Sequence, residues 1–161
     1  SPEGAQVEGC DMASTLTNLL YHMVFSTKNR APLIVPELKD RLYSYIGGIV
    51  RGEGGALIEA GGIADHVHLV TRLKSEPSVA TMLKTIKAKS SKWLNEKGLL
   101  RGRFSWQTGY GAFTVSASQL PHVVRYVHGQ EEHHRVRSFK EEFVALLKKH
   151  GVEYDERYLW D

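Results

Sequence analysis

Apolar and polar residues alternate along this chain with two distinct periods, and each change of period marks an element. Over residues 15–27, Leu20, His22 and Val24 alternate with Tyr21, Met23 and Phe25, and β-forming residues dominate, which predicts a strand. A basic loop follows at residues 28–32. Pro36 then opens a helix near Glu37 with Leu38, Leu42, Tyr45, Ile46 and Ile49 on one face, and Gly52, Gly54 and Gly55 end it. Residues 56–60 and 63–73 return to a strand pattern, and Gly61-Gly62 between them predicts the turn or bulge of a hairpin. Pro77 introduces a second helix over about 78–97, with Val79, Met82, Leu83, Ile86 and Trp93 as its apolar stripe and lysines on its other face. After a loop at 99–109, residues 110–116 predict a strand. A helix over about 119–132 follows, capped by Ser116 or Ser118, and then a last amphipathic helix over 139–150.

The resulting order is β-α-β-β-α-β-α followed by a further helix. The first six elements match the split βαβ arrangement of the ferredoxin-like fold, an α+β class. That topology sets the first and third strands side by side in the centre of an antiparallel sheet. Residues 1–14 are small, polar and without period, which predicts a flexible N-terminal tail. The main body is expected at 15–135, with the C-terminal helix and tail of 136–161 packed on the same domain.

Composition narrows the setting. A length of 161 residues suits one domain. Cys10 stands alone, so no internal disulfide can form, and a reducing cytoplasm is the expected compartment. No apolar run approaches the ~20 residues that span a bilayer. The net charge is only +3, but Lys84, Lys87, Lys89, Lys92, Lys97, Arg101 and Arg103 gather in one stretch against Glu96 alone. Such clustering fits a polyanionic partner, although taken alone it is better explained as a solvated helix face.

The chemistry concentrates in two places. His66 and His68 are two apart on the third strand, so both rings leave the same sheet face, about 7 Å apart along the chain. Imidazoles so placed can converge on one ion. Val67 points into the core, and Asp65 is expected on the opposite face, where it makes a poorer ligand. Taken alone, His-x-His also occurs by chance on half-exposed strands. A HIT-type nucleotide hydrolase, which needs a third alternating histidine, is disfavoured by Val70. The second place is Tyr126-Val127-His128-Gly129-Gln130, where Tyr126 and Gln130 are i and i+4 on one helix face. A phenolic oxygen can attack phosphorus, and an amide carbonyl can complete a hard-cation site. A buried tyrosine with a polar neighbour is the plainer reading of that pair by itself.

Together these stretches resemble the single-tyrosine HUH transposases of the IS200/IS605 type. The likeness runs through residues 21–28, Asp65-His66-Val67-His68-Leu69-Val70, residues 104–113, Tyr126 to Gln130 and Glu132-His133-His134, and it covers about residues 15–161. The resemblance implies that His66 and His68 are metal ligands, Gln130 the third ligand and Tyr126 the nucleophile, with Mg²⁺ or Mn²⁺ as cofactor. It implies cleavage and rejoining of single-stranded DNA at element ends through a 5′-phosphotyrosine, and recognition of nearby hairpins. It further implies homodimers whose first strands pair. Lys28, Arg30, Lys84, Lys87, Lys89, Lys92, Arg101 and Arg103 are then candidate phosphate contacts, and Trp106 and Tyr110 could stack on unpaired bases, with core or interface packing an equal alternative for both rings. Other HUH nucleases remain as alternatives. Relaxases, however, usually place the tyrosine before the histidines, and here Tyr126 follows them. A non-catalytic nucleic-acid module would carry aromatics, not histidines, on its central strands.

Overall fold

The computed structural model describes residues 15–160; the tail expected at 1–14 lies outside the described residues, as does residue 161. Its strands are β1 (Leu19–Ser26), β2 (Ala56–Ile63), β3 (His66–Leu73) and β4 (Gly111–Thr114). Its helices are α1 (Pro36–Gly52), α2 (Val79–Glu96), α3 (Leu120–His128), the short α4 (Gln130–His133) and α5 (Phe139–Lys149). The sheet order is β2-β3-β1-β4, with every neighbouring pair antiparallel. This is the α+β, ferredoxin-like order expected from the element pattern, with β1 and β3 in the centre and a helix added at the C-terminus.

Strand alternation sorts the sheet into two faces. Met23, Phe25, Val67 and Leu69 face one way and pack against Leu38, Leu42 and Ile46 of α1 and Met82, Leu83 and Ile86 of α2. Val24 faces the other way with Phe113 and meets Phe139, Phe143, Leu146 and Leu147 of α5. His66 and His68 share that second face by the period-two rule. Helix α2 is started by the Ser78 side chain, which accepts from the Thr81 amide. Helix α5 is started by a capping box in which Ser138 and Glu141 satisfy each other's backbone amides.

The hairpin differs from its expected form. Gly61 and Gly62 belong to β2 and pair with His68 and Val67, and the turn falls at Ala64-Asp65 instead. The register shift of the hairpin lies between Leu57 and Glu59. Gly61 is needed for packing rather than turning. A Cβ there would lie 2.0 Å from the Val127 carbonyl oxygen, so the bare backbone lets α3 settle directly on the sheet. We expect Gly61→Val to destabilise the fold by at least about 2 kcal/mol, read from urea unfolding, because backbone must move to admit the side chain. Unchanged stability would show that α3 does not depend on this close approach.

The expected pairing of first strands between two copies also meets a correction. One edge of β1 is bonded along its length to β3. The other is covered by β4, by the Val115 amide on Leu20, and by the Gln107 amide on the Ser26 carbonyl. Central position in the sheet leaves β1 no open edge. The edge strands are β2 and β4.

Candidate metal and tyrosine site

The site is assembled on the second face of the sheet, under α3, α4 and α5. His66 and His68 are both fully buried. The helix expected at 119–132 is interrupted: a 3-10 turn at Ala117–Gln119 precedes α3, and Gly129, with non-helical φ −89° and ψ 22°, separates α3 from α4. No side-chain cap from Ser116 or Ser118 forms at its start. Tyr126 ends up half-buried on α3 and Gln130 buried at the first position of α4. Both reach the histidines of their own chain. His66 Nε2 stands 3.0 Å from Gln130 Oε1, and the His68 and Tyr126 ring centroids are 5.9 Å apart.

Two residues without an expected role join them. Glu142 of α5 is buried at the centre of the cluster. Its Oε1 lies 2.9 Å from His68 Nε2, 3.1 Å from His134 Nε2 and 3.5 Å from His66 Nε2. Its Oε2 accepts from the Tyr126 hydroxyl and, at 2.9 Å, from the Gln130 amide nitrogen. His134, following α4, also places Nε2 3.1 Å from Gln130 Oε1. Potential ligand atoms of His66, His68, His134 and Glu142 all lie within 4.8 Å of one another.

A signal for Glu142 does exist in the sequence. It occupies the apolar stripe of α5, between Phe139 and Phe143 and one turn before Leu146, where a carboxylate has no business unless paired. His134 carries no such signal, because α4 has a single turn and no readable period.

Outer partners orient the pair. Asp65 was expected on the far face, but it sits in the hairpin turn, where strand alternation does not apply. Its Oδ1 lies 2.8 Å from His66 Nδ1. His22 of β1 is buried, with Nε2 2.7 Å from His68 Nδ1. A metal-binding histidine typically has its second nitrogen held in this way.

Burial, reinforced by the neighbouring His68, lowers the His22 pKa to about 3. Burial also lowers that of His68 to about 4, against the opposing hydrogen bond to Glu142. Burial alone would raise the Glu142 carboxyl. Its hydrogen bonds with His134 and His68, and the proximity of His68, outweigh that and hold it well below the usual carboxylate range. Burial and the Glu142 contact push the Tyr126 phenol above the ordinary tyrosine range.

These shifts have a sign for stability. Between about pH 6.5 and 4, unfolded His22 and His68 take up protons that the folded protein refuses, so stability falls as pH falls. Glu142, depressed in the fold, adds a loss of the same sign at lower pH. We expect metal-free protein to lose roughly 2 kcal/mol per histidine between pH 7.5 and 5 in urea titrations. His134, whose pKa burial would lower but the contact with Glu142 raises, opposes part of this loss, so a flat profile also in H134A would mean that the two rings are not held neutral.

The donor chemistry fits a divalent ion. The carboxylate of Asp65 can only accept, so His66 Nδ1 carries a proton and Nε2 is the nitrogen left to meet an ion. Nε2 faces Gln130 Oε1 at 3.0 Å, and that oxygen is oriented by the amide nitrogen donating to Glu142. Nitrogen and oxygen donors thus converge from two elements, as a divalent ion between them would need.

The candidate DNA contacts lie elsewhere. The lysines of α2 sit in the layer opposite the histidine face. Lys84, Lys89 and Lys92 are exposed, as are Lys28, Arg101 and Arg103. Lys87 is half-buried and donates to the carbonyls of Gln107, Thr108 and Gly109, tying the loop before β4 to α2. Arg30 lies over the Trp160 ring. Trp106 corrects the stacking expectation: it is 8 % exposed, packs against Phe25 and Phe104, and donates from Nε1 to Ser90. Its ring is consumed by the core because Ser90 supplies the partner that its N–H needs. Tyr110 stays exposed and, with Lys84, lines a groove of about 420 Å³ beside α2.

With this geometry in view, comparison with known proteins settles the family. The family model described as "Transposase IS200 like" matches residues 15–130. The chain belongs to the IS200-like transposase family. It is 30% identical over 109 residues to the transposase for insertion sequence element IS200 of Salmonella typhimurium, spanning 65% of this chain and 72% of that protein. It is 26% identical over 121 residues to the ISDra2 transposase TnpA of Deinococcus radiodurans, spanning 71% of this chain and 85% of that one. Among solved structures, a transposase crystal structure from Deinococcus radiodurans R1 superposes with a TM-score of 0.57 at 23% identity, covering 71% of this chain and 94% of the other. The REP-associated tyrosine transposase bound to a REP hairpin superposes with a TM-score of 0.53 at 14% identity, covering 70% and 66%. At these identities the two structures establish the shared fold. No helix among the described residues is long and apolar enough to cross a membrane.

Proposed function

We propose that this IS200-like transposase cleaves and rejoins single-stranded DNA at insertion-sequence ends, with Tyr126 as nucleophile. The observation that carries the reading is the convergence of the Tyr126 hydroxyl with His66, His68 and Gln130 on one buried patch. Tyr126 attacks a backbone phosphorus, forming a phosphotyrosine with the 5′ side of the break and expelling the 3′ oxygen, which takes up a proton. A free 3′-OH later attacks the same phosphorus, releases the tyrosine and rejoins strands. The phosphodiester conserves the energy of the broken bond, so no nucleotide cofactor is required.

His66, His68 and Gln130 would hold Mg²⁺ or Mn²⁺. When bound, the ion would polarise a non-bridging phosphate oxygen and offset the charge that develops on it. Asp65 and His22 fix the two imidazoles, and Glu142 holds the phenol in place. Hairpin recognition near the element ends is supported by the hairpin carried by one structural neighbour. The exposed cations Lys28, Lys84, Lys89, Lys92, Arg101 and Arg103 are the candidate phosphate contacts. The cytoplasm is the proposed setting. A homodimer remains part of the reading, with β2 and β4 rather than β1 as the strands available to a second copy.

The test is incubation with single-stranded DNA bearing an element end and its hairpin, in Mn²⁺, followed by a denaturing gel. A metal-dependent covalent protein–DNA species is expected. Binding without any adduct, across element ends that carry hairpins, would instead favour a non-catalytic DNA-binding role.

A further inference from the structure

The metal reading above uses three ligands, yet two more donors point at the same spot. We propose that Glu142 and His134 join His66, His68 and Gln130 as ligands of one divalent ion, in a nitrogen-rich set that selects Mn²⁺-like first-row ions over Mg²⁺. This deepens the proposed function and rests on its reading of the histidine pair as metal-binding.

Spacing supports it. Metal–ligand bonds of about 2.1 Å place adjacent corners of an octahedron about 3.0 Å apart. Neighbouring donors in the site are separated by 3.0 Å (His66 Nε2 to Gln130 Oε1), 2.9 Å (His68 Nε2 to Glu142 Oε1) and 3.1 Å (His134 Nε2 to each of those oxygens). The widest of these edges is 3.5 Å, from His66 Nε2 to Glu142 Oε1. All four His and Glu donors fall within 4.8 Å of one another, a few tenths of an ångström more than the roughly 4.2 Å that separates opposite corners of such a shell.

Chemistry supports it as well. Mg²⁺ prefers oxygen ligands and keeps several waters, whereas imidazole suits first-row transition ions. Three imidazoles, one carboxylate and one amide oxygen suit Mn²⁺ and leave one corner of a six-coordinate shell for a phosphate oxygen. Glu142 then has two tasks. Its Oε1 faces the ion, while its Oε2 holds the Tyr126 hydroxyl and the Gln130 amide, so one side chain sets the distance between nucleophile and metal. The last helix thereby becomes part of the metal centre rather than a cover over it.

The test is Mn²⁺ binding to the full chain by calorimetry and electron paramagnetic resonance, with Mg²⁺ as competitor. Variants are E142Q, which keeps size and hydrogen bonding, H134A and H66A, each checked for folding by metal-free thermal melts. Mn²⁺ should bind at least about a hundredfold more tightly than Mg²⁺. E142Q and H134A should each weaken Mn²⁺ binding by about tenfold or more. Spin-echo modulation from directly bound imidazole nitrogen should correspond to three rings in the parent and two in H134A, a change that loss of a distant partner would not produce. Folded E142Q and H134A that bind Mn²⁺ within about twofold of the parent, while H66A loses it, would overturn this five-ligand set and leave the three-ligand reading standing. Equal affinity for Mg²⁺ and Mn²⁺ would overturn the selection. Unchanged binding in H66A would overturn both readings together. Should E142Q fail to fold, the nitrogen count and affinity of H134A decide alone.

Discussion

Tyr126→Phe should abolish the covalent protein–DNA adduct and lower strand cleavage by roughly four orders of magnitude or more, because the proposed intermediate forms on the phenolic oxygen that the substitution removes. The substitution removes one oxygen and leaves the ring, which stands beside His22 and His68 at centroid separations of 6.1 and 5.9 Å. It also removes the donor to Glu142 Oε2, but that oxygen keeps the Gln130 amide. The stability cost should therefore stay near 1–2 kcal/mol, and the variant should remain folded. Hairpin DNA should still bind, since the exposed cations are untouched. The check is a denaturing gel with end-labelled single-stranded DNA, paired with a thermal melt. An adduct that persists in folded Tyr126→Phe would assign the nucleophile to another residue. The nearby His133, whose ring is tilted against Tyr126 at 4.5 Å, would then be the first to examine.

The second large effect belongs to the metal. His66→Ala deletes the ring whose Nε2 meets both Gln130 and Glu142. It also strands the turn carboxylate of Asp65 without its partner. Divalent-metal affinity should fall by more than about a hundredfold, and cleavage should fall below detection. DNA binding should change little, because the lysines of α2 occupy the opposite layer of the sheet. Calorimetric metal titration and a binding assay in chelator separate the two effects. Equal losses in DNA binding and cleavage would mean that the histidine face holds the DNA itself. Intact cleavage in His66→Ala would remove the metal from the mechanism altogether.

These two variants probe different dependencies, and their difference follows from the layering of the fold. Tyr126 and the histidines share one face, while the basic helix lies on the other. A strand bound by α2 must pass around an edge of the sheet to reach Tyr126. Lys87 has a structural task as well. Its half-buried ammonium braces the loop that precedes β4, so its replacement should cost stability before it costs DNA affinity.

Much of this architecture was legible in the chain. The alternation in β1 and β3 and the 3.6-residue stripes of α1, α2 and α5 are local properties, repeated often enough to be read without a partner. They placed His66 and His68 on one face of a central strand. The Tyr-x-x-x-Gln spacing brought Tyr126 and Gln130 into the same account, even though Gly129 breaks the helix between them. What the pattern misassigned was equally local in cause. Gly61-Gly62 looks like a turn, yet it is a stretch of strand stripped of side chains so that α3 can lie against it. Trp106, in a basic loop, suits base stacking and core packing equally by pattern, and Ser90 of α2 decides for the core.

The completed site was a matter of tertiary structure alone. His68 meets Glu142 across 74 positions of sequence, His66 meets Gln130 across 64, and His22 meets His68 across 46. No periodicity links residues so far apart. Only the packing of α5 through Phe139, Phe143, Leu146 and Leu147 onto the histidine face brings Glu142 to the histidines and the tyrosine. The sequence by itself determined the sheet, its faces and the two histidines. The docking of the last helix decided which carboxylate stands between them and Tyr126, because a buried charge is held only where its partners converge.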